Sequence, residues 1–284
     1  PNKSLSVMTL NAGRLLQERT RAYLQCLVSG EEPAPDVLCL QDIPERDVPW
    51  LRVRWPHFAF APMTNHLIYG VRAGVGIAMF SRNPMVEIKH HTTWGDGALK
   101  GLQGVNNRNE RVAPTAENDR LIESTEDRVA ICATVVKSEN EKYSVATTHG
   151  FWVRGGVPNE MQRQSTRSLM EFLVGEAGAR DGLVLAADLN FGRGSEIYEA
   201  FVEKKGPNAK GFDDCVPLTI ESTLDPDHPA SKKGIKVVSD YFMTRKGYEG
   251  DFVSYDVPKV SDVRLHPGVS DHCALSATIS MVPG

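Results

Sequence analysis

Short apolar runs that end on a polar residue recur along this 284-residue chain. LSVMTL runs into Asn11, VLCL into Gln41-Asp42, YSVATT into His149, and LVLAA into Asp188-Leu189-Asn190. VVSDYF holds Asp240, and Ser270-Asp271-His272 stands just before CALSATI. Apolar runs of about four to eight residues next to turn residues predict strands buried on both faces. The pattern predicts strands at 5–11, 37–42, 57–62, 75–81, 86–93, 128–137, 142–149, 183–188, 236–243, 251–257 and 272–280. A core strand that runs into an acid, amide or imidazole delivers that group to a sheet edge, where sites are built.

Helical spacing predicts three helices, at 14–29, 159–175 and 195–205. Leu15, Leu16, Tyr23, Leu24, Leu27 and Val28 fall on one face of the first, with Gly30 as its stop. Met161, Leu169, Met170, Phe172 and Leu173 form the stripe of the second. Gly95 to Glu126 is rich in Gly, Asn, Glu and Arg and reads as one long surface loop, the kind that is functional or mobile. There is no repeat and no Pro- or Ser-rich linker, and the polar tags fall in both halves, so residues 1–284 are expected to form one domain. Many strands with few helices predict an α+β fold: a four-layered α/β/β/α sandwich of two mostly antiparallel sheets with outer helices.

Composition narrows the function classes. A net charge of −4 argues against gripping long duplex nucleic acid by charge alone, though it leaves room for a local basic groove. No apolar run approaches the ~18 residues that span a bilayer, so no transmembrane segment is expected. The chain starts PNKSLSV, without a basic-then-apolar leader. A cytoplasmic monomer is the expectation, with secretion open if a leader has been trimmed. The five cysteines include no C-x-x-C and read as small buried hydrophobes in a reducing compartment. His90-His91 would face opposite sides of a strand and reads as surface.

Carboxylates, amides and two histidines converging at strand ends suit a metal-assisted attack on phosphate. The ordered series Asn11, Gln41-Asp42, His149, Asp188-Leu189-Asn190, Asp240-Tyr241 and Ser270-Asp271-His272 resembles the endonuclease/exonuclease/phosphatase superfamily, over residues 5 to 280. The resemblance implies a four-layered sandwich and hydrolysis of a phosphate ester by water. It implies Mg²⁺ or Mn²⁺ on Asp42, with Asn11 and Asp271 completing or supporting the shell. Asp188 would orient or deprotonate the water, and Asn190 would hold the water or a phosphate oxygen. His149 would contact the phosphate, with Asn11 and Arg128 also binding substrate. His272 would bond the phosphate or move a proton, with Asp240 fixing its tautomer.

Two positions depart from the family pattern. Asp42 stands where the family usually has Glu, which sets its oxygens about 1.5 Å further back. Arg128 stands where the deoxyribonuclease branch has Glu, which points to phosphate contact. The tags AADLNFG and SDYF differ from those of inositol 5-phosphatases and look more like abasic-site endonucleases and generic bacterial members. A basic lining from Arg128, Arg154, Arg163 and Arg193 would favour a polymeric substrate. Gly192-Arg193-Gly194 could hold phosphate or form a plain turn, and Phe151-Trp152 could line the cleft or pack. The leading expectation is a phosphodiesterase acting on nucleic acid or nucleotides. The alternatives are a phosphatase or phospholipase acting on small or lipid phosphates, and a non-catalytic binding relative.

Overall fold

The computed structural model describes residues 4–68, 71–104, 115–153, 156–178, 182–202, 211–246, 248–249, 252–253 and 256–283. In chain order the elements are β1 (Ser4–Asn11), α1 (Glu18–Ser29), β2 (Val37–Pro44), α2 (Val48–Leu51), β3 (His57–Ile68), β4 (Val71–Ser81), β5 (Met85–Trp94) and α3 (Ala116–Thr125). Then come β6 (Arg128–Ser138), β7 (Glu141–Thr148), α4 (Glu160–Gly178), β8 (Gly182–Asp188), α5 (Glu196–Val202) and β9 (Asp213–Asp214). The chain ends with β10 (Asp240–Lys246), β11 (Tyr248–Glu249), β12 (Phe252–Val253), β13 (Asp256–His266) and β14 (Ala274–Pro283).

Alternation along the central strands builds two cores at once. Leu5 and Val7 of β1, Val37 and Cys39 of β2, and Ile77 and Met79 of β4 face one core. Met8 and Leu10, Leu38 and Leu40, and Ala78 and Phe80 from the same strands face the other. The first core also takes Ile131, Val145, Leu185 and Phe242 from the second sheet, together with Leu169 and Leu173 of α4. The second core is closed by Leu24 and Leu27 of α1, with Leu51 and Trp55 behind α2. Helix, sheet, sheet, helix is therefore the order of layers, the α/β/β/α sandwich that the periodicity predicts.

One sheet has the order β13-β14-β1-β2-β4-β3 and the other β5-β6-β7-β8-β10-β9. Each holds a single parallel pair, β1 with β2 and β7 with β8; every other neighbour is antiparallel. A parallel pair needs a crossover, and α1 and α4 supply the two. Both parallel pairs sit in the middle of their sheets.

Four expectations shift. The strand expected at 236–243 starts at Asp240, because Val237–Ser239 pair with Thr223 instead: Thr223 N–H donates to Val237 O at 2.9 Å, and Ser239 N–H to Thr223 Oγ1 at 3.0 Å. The strand expected at 251–257 is β13, from Asp256; residues 251, 254 and 255 lie outside the described residues. The first helix begins at Glu18, after a 3₁₀ turn at Gly13–Leu15, and ends on Gly30 at φ 86° as expected. The long loop contains α3, opened by Thr115, whose side chain accepts the Asn118 N–H at 3.2 Å. Residues 203–205 of the third expected helix, and 105–114 of the loop, lie outside the described residues.

In β2, Gln41 and Asp42 together oppose Ile77, since Leu40 pairs with Ala78 and Ile43 with Gly76. This is a β-bulge, which bends a strand and re-aims its side chains. Gly76, the partner of Ile43 just beyond the bulge, packs closely against the strand on its other side: a Cβ there would lie 2.0 Å from the carbonyl oxygen of Ala61 on β3. Gly76→Ala is expected to cost about 2–3 kcal/mol, read as a lower urea midpoint with unchanged slope.

Candidate active site

The carboxyl ends of a parallel pair lie at the same sheet edge. Asn11 and Gln41 are register partners at the ends of β1 and β2. His149 bridges Asp188 just past the ends of β7 and β8. The next strand, β10, runs the other way and begins at this edge, so Asp240 lies directly opposite Asp188. β14 also begins here, two residues after His272. Arg19 donates to Ser270 O at 2.6 Å, and Cys273 N–H to Thr223 O at 2.8 Å, pinning that turn. Gln41 ties the sheets together by donating to Thr147 Oγ1 at 3.0 Å. Asn11, Asp42, His149, Asn190, Asp271, His272 and Arg128 line one cleft of about 350 Å³, with Asp188 and Asp240 beneath it.

Two buried carboxylates in direct register repel, and the donors around them show how the repulsion is met. Asp188 accepts from Asn11 Nδ2 at 2.8 Å and from its own turn, Asn190 N–H, at 2.9 Å. Asp240 Oδ2 accepts from Thr223 Oγ1 at 2.6 Å and Ser239 Oγ at 3.0 Å, and faces His272 Nδ1 at 3.0 Å. His272 Nδ1 is also 3.7 Å from Asp188 Oδ2. Burial alone would lower the pKa of His272, but the charges of Asp240 and then Asp188 outweigh it and lift it to about 10. Burial, reinforced by Asp240, raises the pKa of Asp188 above the ordinary carboxylate value. Charge thus favours a proton on His272, while Asp188 is held above the ordinary carboxylate range. Asn190, at φ 55°, turns back so that Nδ2 donates to Gly150 O at 3.0 Å.

The second half of the cleft is a chain of alternating charge. Gly13, Arg14 and Leu15 all have positive φ (52°, 61° and 53°), as does Asp42 (52°). Non-glycine residues in this region are strained, and such strain clusters at functional sites. The twist turns the Arg14 guanidinium among Asp42, Glu126 and Asp271: Nε is 3.5 Å from Asp42 Oδ2, and Nη2 is 4.0 Å from Glu126 Oε1. Burial opposes the Asp42 charge, but Arg14, then His149 and Arg128, hold its carboxyl far below the usual range. Arg128 Nη2 donates to Glu126 Oε2 at 3.2 Å, and its guanidinium lies 4.6 Å over Phe151.

The donors suit a hard divalent ion. Asp42 Oδ1 is buried with no hydrogen-bond partner, although His149 Nδ1 stands 3.3 Å away. Asn11 is already engaged, with Nδ2 on Asp188 and Oδ1 accepting Gly13 N–H at 3.0 Å. Asp271 Oδ1 accepts from Ser270 Oγ at 2.9 Å. Among the described residues, Asp188, Asp240 and His272 also form a buried group whose ligating atoms lie within 4.8 Å of one another and which could hold a metal.

The expected basic lining is reduced to one of its members. Arg193 is bound to Asp214 at 2.8 Å and to the carbonyls of Val216, Pro217 and Ile220, so the Gly192-Arg193-Gly194 turn is structural. Arg163 forms a two-pronged pair with Glu196 away from the cleft. Arg154 lies outside the described residues. Phe151 is buried under Arg128, whereas Trp152 is half-exposed and lines the cleft. His91 stacks on Phe172 at 4.8 Å and meets Ser168 Oγ at 2.9 Å, so it is a packed residue and only His90 is surface. Sequence reasoning missed Arg14, Glu126, His228 and Thr223. Arg14 was within reach, three residues past Asn11 and next to a glycine, but only the left-handed backbone aims it.

Solved structures match this architecture over nearly the whole chain. The human Nocturnin catalytic domain matches at a TM-score of 0.64 and 17% identity, over 98% of this chain and 94% of that one. A humanised Danio rerio TDP2 matches at 0.62 and 17%, over 98% and 100%. An endonuclease/exonuclease/phosphatase family protein from Leptotrichia buccalis matches at 0.63 and 14%, over 97% and 99%. The fold is that of the endonuclease/exonuclease/phosphatase superfamily. No protein-family model and no curated protein matches the sequence. Among the described residues, no helix is long and apolar enough to cross a membrane.

His66 lies behind Arg14, fully buried, its Nε2 without a hydrogen-bond partner. Burial, helped by the Arg14 charge, lowers its pKa from 6.5 to about 4. The fold thus favours neutral His66. Its contribution to stability is complete above pH 6.5 and is lost as pH falls through about 4. In urea titrations from pH 7 to pH 4, His66→Leu is expected to flatten the acid loss of stability relative to the parent protein.

Proposed function

We propose that this protein is a divalent-metal-dependent hydrolase of phosphate esters, most of all of phosphodiesters, with water as the nucleophile. The observation that carries the reading is the delivery of Asn11, His149, Asp188, Asp240 and His272 to one cleft by central strands of two sheets. An ion held by Asp42, with Asn11 and Asp271 beside it, would offset charge on the phosphoryl oxygens and on the leaving oxygen.

The chain's own groups divide the remaining work. Asp188 takes the proton of the attacking water, its basicity raised by burial and by Asp240. Asn11 holds Asp188 in place through Oδ2, and Asn190 holds it through Oδ1. The water oxygen bonds to phosphorus as the ester bond breaks. The leaving oxygen is protonated from the His272 imidazolium, whose Nδ1 is fixed by Asp240. His149 and Arg128 meet the non-bridging oxygens. The proton on Asp188 then returns to His272 through solvent, which restores the site.

The deciding experiment is hydrolysis of bis-p-nitrophenyl phosphate against p-nitrophenyl phosphate, with Mg²⁺, Mn²⁺ or EDTA. Metal-dependent release of nitrophenolate from the diester, abolished by EDTA, is the expected result; a rate untouched by EDTA would overturn the metal-dependent mechanism. Asp188→Asn keeps the shape and removes the base, so kcat should fall about a thousandfold with the thermal midpoint little changed.

Arg14 and a divalent ion compete for the same carboxylates. Arg14→Gln is expected to tighten Mn²⁺ binding about tenfold, by calorimetry on metal-free protein. Weaker binding would mean that Arg14 organises the ion site instead of contesting it.

A further inference from the structure

A second cavity opens on the far side of His272. It holds about 360 Å³ and shares Trp152, Asn190, His228 and His272 with the phosphate cleft, so the two adjoin. Its walls are apolar: Pro158, Phe191, Leu224, Ile235 and Val237 complete them with Trp152. Two of its polar members are already engaged. Gln162 Nε2 donates to Phe151 O at 2.9 Å and to Asn190 O at 3.4 Å, and Ser239 Oγ donates to Asp240 at 3.0 Å. Large apolar side chains rim the mouth in the open. Ile235 is 52% exposed, Trp152 49%, and Val157, between the lining residues Gly156 and Pro158, 73%.

A water-accessible pocket this apolar gains nothing by staying empty, and exposed apolar groups gathered around one cavity mark a ligand site. A phosphate held in the cleft would set its ester group beside this pocket, since the two share Trp152, Asn190, His228 and His272. We propose that this pocket receives the apolar group of the substrate, an aryl or alkyl group esterified to the phosphate held in the cleft. The assignment rests on the phosphoesterase reading and adds the substrate class to it. A cavity of about 150 Å³ accepts one benzene ring, so this pocket has room for a ring with its linker or for a short chain. Charge supports the same choice: Arg14 and Arg128 are the arginines of the cleft, and both are already paired with carboxylates, which leaves little basic surface for a polymeric backbone.

Calorimetry of the full chain with phenylphosphonate, hexylphosphonate and methylphosphonate, in the presence of Mg²⁺, tests this without requiring turnover. Phenylphosphonate or hexylphosphonate is expected to bind at least tenfold tighter than methylphosphonate, and the tighter of the two tells ring from chain. Ile235→Ser, at an exposed position, and Val237→Asp should reduce that preference to below threefold while leaving methylphosphonate affinity within twofold. Retained methylphosphonate binding also reports that each variant is folded, and Ile235→Ser carries the test if Val237→Asp does not fold. Equal affinities in the parent protein, or a preference that survives both substitutions, would overturn the assignment. A parent that shows the preference yet hydrolyses no phosphate ester keeps the pocket and loses the phosphoesterase reading. A parent that hydrolyses esters without the preference does the reverse.

Discussion

The buried pair Asp188 and Asp240 is the constraint around which the rest of the site is arranged. Antiparallel register forces the two carboxylates opposite one another, where water cannot screen them. A cation beside them and donors around them offset their repulsion, with only Asp240 Oδ1 left without a partner among their four oxygens. The cation is His272, and the donors come from Asn11, Asn190, Thr223 and Ser239, on four separate stretches of chain. The repulsion thus has a use. It raises the proton affinity of both Asp188 and His272, which on the proposed reading suits them to serve as base and acid.

The same balance explains why the second half of the cleft looks different. Asp42 faces nitrogen groups on both sides, the Arg14 guanidinium at Oδ2 and the His149 imidazole at Oδ1. The shorter reach of aspartate is partly met by the β-bulge, which adds a residue and swings position 42 toward the cleft. Arg14 then fills the space among Asp42, Glu126 and Asp271 with charge of the sign an ion would bring. The strained backbone at Gly13–Leu15 shows that this placement is not a relaxed default, since helical or extended φ would turn the side chain elsewhere.

How far the sequence is legible depends on which interactions are local. Alternation along LSVMTL and VLCL announces strands buried on both faces, and a polar residue at the end of such a run announces a sheet edge. His149, Asp188 and His272 are therefore legible from their sequence neighbours alone. Asp42 is legible as a residue, but the bulge that aims it is defined only by its pairing with β4, a different strand. Arg14 escapes notice because its role lies in a backbone twist, and Thr223 because it acts through a partner seventeen residues on. The start of α3 carries a readable signal in Thr115, which the surrounding Gly and Asn obscure. Val237 and Val238 mislead for a related reason: their apolar run reads as a strand, yet this stretch bonds to Thr223 and not to a ladder.

The cleft and its apolar neighbour share His272 as a wall, and this sets where selectivity arises. On the proposed reading, the charged and amide groups at the strand ends address only the phosphoryl group of an ester. Discrimination must come from what lies beyond, where Leu224, Ile235 and Val237 offer burial and no hydrogen bonds. These residues sit in the segment between β9 and β10, where Leu224 bridges His272 and Val237 O accepts the Thr223 N–H, so the wall is tied to the site it adjoins. Thr223 and Ser239, at the two ends of that segment, anchor it to Asp240. A single polar triad of Thr223, Ser239 and Asp240 therefore joins the apolar wall to His272, coupling the orientation of that imidazole to the shape of the pocket beside it.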